Sequence, residues 1–584
     1  MAKFDIDTIR HSTAHLMAQA IERLYPDQSP QFGVGPVIDN GFYYDMEMEY
    51  RLSEEDLQKI EEEMKRIIKE NLSITKKVMD KKKAVSFFKK KKQQLKVELI
   101  ENFPDEEEIS SYTQGEFTDL CRGPHVESTG QLPPFFKLLN VAGAYWLGDE
   151  KRQMLQRIYA ACFTDKKQLK KHLDFLQEVK KRDHRVLGRE LHLFQLNPLA
   201  PGMPFFTPKG TLVYNELMEF MRRIYRYYDF KEVITPQILS SELWHTSGHY
   251  QHYRENMYFT KIDEREYAIK PMNCPCHMIM FKSGKHSYRD LPLRLADFGR
   301  IHRYEKSGAL AGITRVRSFC QDDAHIFLPE DAIREEIKKL LDSYFICYRH
   351  FGMNKIKVQL STRPQDKAGD DKQWDRAEEA LEAALKEEKT DYGVNKGDGA
   401  FYGPKIDIEV SDAIGRSHQL GTIQLDFQLP ERFDLKFVNK AGNLERPIVI
   451  HKALLGSLER FFGIYLEHVA GGYPFWLAPE QATIVPVNEK LHQSYAEKIH
   501  RELWRENFRV SIDNRNEGLG FKTRQIQKAK IPFMLVVGDK EQKSGTVSIR
   551  AYGEKKSQSL SLSDLKSMFL ELARENIPKA LRDL

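Results

Sequence analysis

Residues 298–327 read FGRIHRYEKSGALAGITRVRSFCQDDAHIF: two strand-like arms around a Gly-containing loop rich in acids and arginines. Alone, such a loop is commonly just surface. Its meaning depends on what the neighbouring segments supply. Upstream, KPMNCPCHMIMF (270–281) places Cys274, Cys276 and His277 within four positions. Cys-Pro-Cys is tight for a redox dithiol, which more often has two intervening residues. A zinc finger needs a second compact pair downstream, and the sequence has none. His325 and His451 each lie beside apolar runs, where an isolated histidine reads as core. From these residues alone a metal site, a redox pair and a buried turn all stay open.

A second constellation joins His11-x-x-x-His15 in RHSTAH to Cys121-x-x-x-His125 in DLCRGPHV. Spacing of four on a helix puts both histidines on one face, as a shared metal or substrate needs. A metalloprotease would read His-Glu-x-x-His, with the Glu as general base. Here Ser12, Thr13 and Ala14 intervene, so that base is missing. Two Cys/His pairs in one candidate domain favour a polar active site over coincidence.

With 584 residues and 68.2 kDa, the chain exceeds one core, and roughly three or four domains is the prior. A composition of 41% hydrophobic and 30% charged residues suits a soluble globular protein. No run approaches a membrane span, and MAKFDIDTIR lacks the apolar stretch of a signal peptide. Six cysteines in so long a chain are no disulfide framework and fit a reduced, cytoplasmic setting. The net charge of +5 falls within 474–584, where 19 Lys and Arg face 14 Asp and Glu. That excess is compatible with nucleic acid and small enough to be chance.

Along the chain, Asp7-Thr8 is expected to cap a helix running to Pro26. SEEDLQKIEEEMKRIIKENL is expected as an amphipathic helix with Leu57, Ile60, Met64, Ile67 and Ile68 on one face. Lys89 to Lys92 and the acidic run at 104–108 read as solvated faces. From Thr164 a polar connector helix follows, with Leu169, Leu173, Leu176 and Val179 at helical spacing. The last part, from ATIVPV onward, alternates strands and helices as a small α/β unit.

The arms and loop of 298–327 resemble motif 2 of the class II aminoacyl-tRNA synthetases. GSLERFFGIYLE (456–467) resembles motif 3, carrying Arg460, and YDFKEVITPQIL (228–239) resembles motif 1, with its proline at Pro236. With KPMNCPCH, AFYGPKIDI (400–408) and HQLGTIQLDF (418–427), the chain resembles the threonyl-tRNA synthetases over essentially its whole length.

The resemblance implies an α+β multidomain protein built on a class II antiparallel sheet flanked by helices. An α+β editing domain is expected at 1–163, a linker helix at 164–190, the catalytic domain at 191–473 and an α/β anticodon-binding domain at 474–584. The family usually carries a small extra domain ahead of the editing domain, whereas here the editing helix starts within the first dozen residues.

The implied reaction ligates L-threonine to tRNA(Thr) through threonyl-adenylate, with ATP and Mg²⁺, in a homodimer. One Zn²⁺ per subunit would be held by Cys274, His325 and His451 and would coordinate the amine and hydroxyl of threonine. Valine lacks the hydroxyl, and a site built for one rejects such an analogue by roughly 10⁴-fold. Serine lacks only a methyl, worth about 1–3 kcal/mol, so a hydrolytic second sieve is implied at His11, His15, Cys121 and His125. Cys276 stands where the family usually has glycine. It reads as a buried thiol, with a competing ligand or an oxidation site as alternatives.

By resemblance, Arg303 holds the α-phosphate and carboxylate and Arg460 the γ-phosphate end, while Glu305 and Arg317 frame adenine and the triphosphate. Asp323 receives the ammonium; Met272, Tyr402 and Gln424 line the amino-acid pocket. Lys405, Gln419, Thr422 and Ser457 serve the nucleotide or the activation step, and His249 the transfer to tRNA. Glu517, Lys522, Arg524 and Arg550, in or near NRNEGLGFKTRQIQKAKIPFMLVVGDKE (514–541), are candidates for the anticodon. Two rivals stand beside this reading: a non-catalytic tRNA-binding paralogue, and a zinc hydrolase using the His11/His15 site.

Overall fold

The computed structural model describes residues 4–104, 107–149 and 151–582. The chain divides into two compact units, 1–177 and 178–584.

The first unit begins with helix α1 (Ile6–Leu24). Its cap is Asp5, not Asp7-Thr8 as the sequence suggested: the Asp5 carboxylate takes both the amide and the hydroxyl of Thr8, at 2.9 and 2.6 Å. The amphipathic helix spans Glu54–Glu70 behind a Ser53/Asp56 capping box. Leu57, Ile60, Met64 and Ile67 are buried, while Ile68 packs only partly. Both helices pack on a sheet whose main path runs 31–32, 41–47, 154–162, 136–145. A three-stranded sheet (74–79, 109–114, 117–120) lies beside it. Lys89, Lys90 and Lys92 are exposed, and Lys91 donates to the Glu116 carbonyl. Asp105 and Glu106 of the acidic run lie outside the described residues.

The expected connector helix is two helices, Lys166–Arg182 and His184–Glu190. Asp183 breaks the run because its carboxylate caps the second helix through the Arg185 amide. The first buries no residue, as its polar composition requires.

Among the described residues the second unit holds a nine-stranded sheet. The path includes, in spatial order, β1 (Leu293–Asp297), β2 (Ser318–Leu328), β5 (Ile448–Ser457), β4 (Ser417–Asp426) and β3 (Lys405–Ser411). These five pair antiparallel, as expected. The two edges differ: 231–232 and 392–395 join in parallel. Helices Pro208–Tyr227, Ile333–His350 and Asp371–Glu387 carry buried apolar faces belonging to the same core. The C-terminal part forms a five-stranded sheet in the order 510–512, 482–486, 533–537, 546–551, 558–561. The first three strands are parallel and the last pairs antiparallel. This is the α/β alternation read from the sequence, extended by the strand Gln558–Ser561 and the helix Leu562–Ala573.

Candidate active sites

Sheet register assembles the site of the second unit. Directly opposed residues of antiparallel strands share a face, and so do residues two apart. One row runs Lys405, Gln424, His451, His325 across β3, β4, β5 and β2. The next runs Asp407, Thr422, Ala453, Asp323 and, on β1, Asp297. Segments more than a hundred residues apart in sequence thus meet on one face, and the small side chain of Ala453 leaves the middle of the second row low.

Helix α2 (Cys274–Ser283) brings Cys274 to the end of the first row. The ligand atoms of Cys274, His325 and His451 lie within 4.8 Å of one another, and all three residues are buried. His325 Nε2 is 2.9 Å from His451 Nδ1. From behind, His451 Nε2 donates to Asp426 at 2.8 Å, and His325 Nδ1 lies 2.8 Å from Nδ1 of His277. His451 therefore turns a lone pair inward. If His325 carries its proton on Nδ1, toward His277, both inner nitrogens offer lone pairs beside the Cys274 sulfur, which is the donor set of a tetrahedral zinc site with one position left. Burial pushes the Cys274 thiol up and His277 down to about 3, so only a cation would favour the thiolate here. Cys276, two positions along α2, is not among the converging donors and is buried.

Asp323 lies next to this cluster on the same face, and burial raises its carboxyl to about 6 against the pull of the Asn273 amide. The Tyr402 hydroxyl is 2.5 Å from Gln424 Oε1, and the Tyr402 ring stacks obliquely 5.1 Å from His451. Met272 packs at the edge of the cluster containing Cys274. His249 is buried, bonded to Ser247 and 3.9 Å from Cys274 Sγ.

Beside these rows opens a cavity of about 760 Å³, whose lining includes Arg303, Glu305, Gln419, Thr422, Ser457 and Arg460. Ser457 caps helix α3 (Leu458–His468), accepting the Arg460 amide at 3.0 Å. The cavity thus has a helix N-terminus and five arginines in its lining, Arg303 and Arg460 among them, an arrangement suited to polyphosphate. Glu305 pairs with Arg315 at 3.0 Å. Arg317 is set behind the lining, with Nε on the Glu305 carbonyl at 2.8 Å. Lys405 also stands off the cavity, between Asp398 and Asp407 at 3.0 and 2.8 Å. The sequence reading missed His184, which reaches the cavity wall and joins the loop to α3: Ile313 N–H donates to its Nε2 at 3.2 Å, and its Nδ1 meets Glu467 at 2.6 Å.

In the first unit all four expected residues converge. Cys121 Sγ is 3.2 Å from His11 Nε2 and 3.1 Å from His125 Nε2. Ser12 donates to the Thr8 carbonyl, so His125 Nδ1 must donate to Ser12 Oγ at 3.0 Å. His125 Nε2 is then an acceptor for the thiol. Burial holds His125 down at about 2, His11 and His15 below the usual range, and Cys121 up at about 11. The cluster is neutral imidazoles and a thiol. It borders a cavity of about 570 Å³ whose lining also includes the buried Lys96, Asp119 and Tyr44. Lys96 Nζ is 2.6 Å from Asp119, which also accepts from the Tyr44 hydroxyl. These three were missed. Asp119 was reachable, because strand alternation puts it on the buried face with Phe117; Lys96 sits among apolar helix neighbours and carried no signal.

The anticodon candidates differ in their settings. Glu517 and Arg524 are exposed. Lys522 is 1% exposed, with Nζ on the Asp513 carbonyl at 3.0 Å. Arg550 reaches toward Met534 Sδ at 3.6 Å. A nearby cavity of about 630 Å³ is lined instead by residues including Thr483, Ser511, Asn514 and Arg515.

Residues 258–469 match the family "tRNA synthetase class II core domain (G, H, P, S and T)", 481–572 "Anticodon binding domain", and 109–159 "Threonyl and Alanyl tRNA synthetase second additional domain". Threonine–tRNA ligase 2 of Bacillus subtilis is 49% identical over 566 residues, covering 97% of this chain and 88% of that one. Threonine–tRNA ligase of Thermotoga maritima is 52% identical over 543 residues, covering 93% and 84%. Among solved structures, the RNA binding domain of threonyl-tRNA synthetase from Cryptosporidium parvum matches at 47% identity with a TM-score of 0.65, over 67% of this chain and 98% of that one. By these matches and by its fold, the chain belongs to the threonine–tRNA ligases, within the class II aminoacyl-tRNA synthetases.

Proposed function

We propose that the second unit activates L-threonine with ATP and Mg²⁺ and transfers it to tRNA(Thr), with specificity set at Cys274, His325 and His451, and that the first unit hydrolyses Ser-tRNA(Thr). The observation that carries the reading is the convergence of those three buried donors beside Asp323, on the face that continues into the Arg303/Arg460 cavity. A zinc ion held by these three residues would supply a Lewis acid to the substrate's amine and hydroxyl.

The chain's own side chains account for the rest. Asp323 meets the ammonium, and Tyr402 and Gln424 wall the pocket. Arg303 aligns the threonine carboxylate with the α-phosphate for in-line attack. As pyrophosphate leaves, negative charge grows on phosphate oxygens, and Arg303, Arg460 and the α3 N-terminus stabilise it. His249 is assigned to the transfer step, and a homodimer is the assembly proposed. In the editing unit, Cys121 and the neutral histidines position a water and the mischarged 3′ end, with Lys96 and Asp119 at the wall.

ATP–pyrophosphate exchange with threonine, serine and valine, before and after zinc removal, tests this. Strong exchange with threonine, weaker with serine, none with valine, and loss on stripping are expected. No exchange from folded, zinc-loaded chain would leave a non-catalytic paralogue. The four donors of the first unit also lie within 4.8 Å of one another, which a hydrolase metal would need. Elemental analysis is expected to give one zinc per chain, and a second equivalent lost on replacing His11 and His15 would establish that other reading.

A further inference from the structure

Asp297 and Asp323 stand opposite each other on neighbouring strands. Each draws a partner from one short segment, 270–273. Lys270 has no exposed surface, and its Nζ lies 2.7 Å from the Thr235 hydroxyl and 3.3 Å from Asp297 Oδ2. Thr235 donates to that same oxygen at 2.6 Å. Asn273 donates from Nδ2 to Asp323 Oδ2 at 3.0 Å. One carboxylate thus faces a buried ammonium, while the other receives only a neutral amide.

Asn273 breaks two local rules in doing so. It is the N-cap of α2, where asparagine is favoured because its side chain accepts from the first turn, yet it makes no capping bond. Its Oδ1 is also buried without a partner, turned toward Gly299, where an added Cβ would lie 2.6 Å from it. A forgone cap and an unsatisfied buried acceptor both cost stability, and sites that break local rules are where function is expected. The same segment steadies Arg303, whose Nε donates to the Pro271 carbonyl at 3.2 Å, while the His302 amide donates to the Lys270 carbonyl at 3.1 Å.

We infer that Asn273 is a positioning residue that aims the Asp323 carboxylate, uncompensated, at the substrate ammonium, while Lys270 absorbs the neighbouring charge of Asp297. The inference rests on the reading of Asp323 given above. Losing a hydrogen bond to a charged group should raise the threonine KM about ten- to hundred-fold in Asn273→Leu, with the ATP KM and zinc content unchanged. Asn273→Ser, which keeps a donor, should fall between and serves if the leucine variant does not fold.

The deciding comparison is binding of a non-hydrolysable threonyl-adenylate analogue against its counterpart lacking the amino group. The wild type should prefer the amino form, and Asn273→Leu should lose most of that preference. Equal weakening of both analogues, or an unchanged threonine KM, overturns the inference. Absence of threonine-dependent exchange in the wild type overturns the reading of the site itself.

Discussion

The ammonium of Lys96 lies 2.6 Å from Asp119 Oδ1, with both side chains 3% exposed. Breaking a buried pair by removing one partner strands the other charge. Lys96→Met should therefore destabilise the first unit by about 3–5 kcal/mol, seen as a separate early transition in urea. Threonine activation, housed in the other unit, should be unchanged while Ser-tRNA(Thr) accumulates. Unaltered editing would remove Lys96 from that machinery.

His11, His15 and His125 are held uncharged by burial. The unfolded chain takes up a proton on each near pH 6.5, whereas the folded rings resist. Protons therefore favour unfolding: stability is complete above about pH 6.5 and falls below it, by up to about 1.4 kcal/mol per pH unit for each histidine. Denaturation of the chain between pH 7.5 and 5 should show the first unit weakening. Replacing all three by glutamine should flatten the slope.

Ser457 sets where α3 begins and so where Arg460 points. Ser457→Ala should lower stability by about 1 kcal/mol, the usual value of a cap, and raise the ATP KM more than the threonine KM. Arg460→Ala should lower pyrophosphate exchange at least tenfold without that stability loss. The two variants separate fraying of the helix from loss of the charge.

Chelation should lower the melting temperature of the second unit, because a metal bound only by the folded state stabilises in proportion to the logarithm of its concentration. His451→Asn should melt at the same temperature with and without zinc. A wild type whose melting ignores zinc would count against Cys274, His325 and His451 as ligands.

How much was legible beforehand follows from where the information lies. The helix periodicity at 54–70 and the strands of the C-terminal sheet rest on local pattern and were recovered. The N-cap shifted to Asp5, and the connector helix broke at Asp183, because capping is decided by single side-chain bonds that periodicity does not see. The three zinc-type donors could be grouped only by resemblance, since sheet register, not spacing, joins His325 to His451 and Gln424. His277 stood out only through its spacing to Cys274 and Cys276, which does not show that it backs His325, and Asp426 reads as the end of an apolar strand with nothing to mark it as the partner of His451. Lys522 was read as a candidate for the anticodon and lies buried, its Nζ on the Asp513 carbonyl.

Ala453 sits between Thr422 and Asp323 in a row otherwise filled by longer side chains. Its neighbours are fixed by three paired strands, so the depth at that point is a property of backbone geometry and cannot be adjusted by a rotating side chain. For the amino acid proposed to bind beside it, the face would therefore be a floor of fixed depth. Under the proposed function a longer residue would meet that floor while a shorter one would pass, and only the shorter would call for a separate hydrolytic unit.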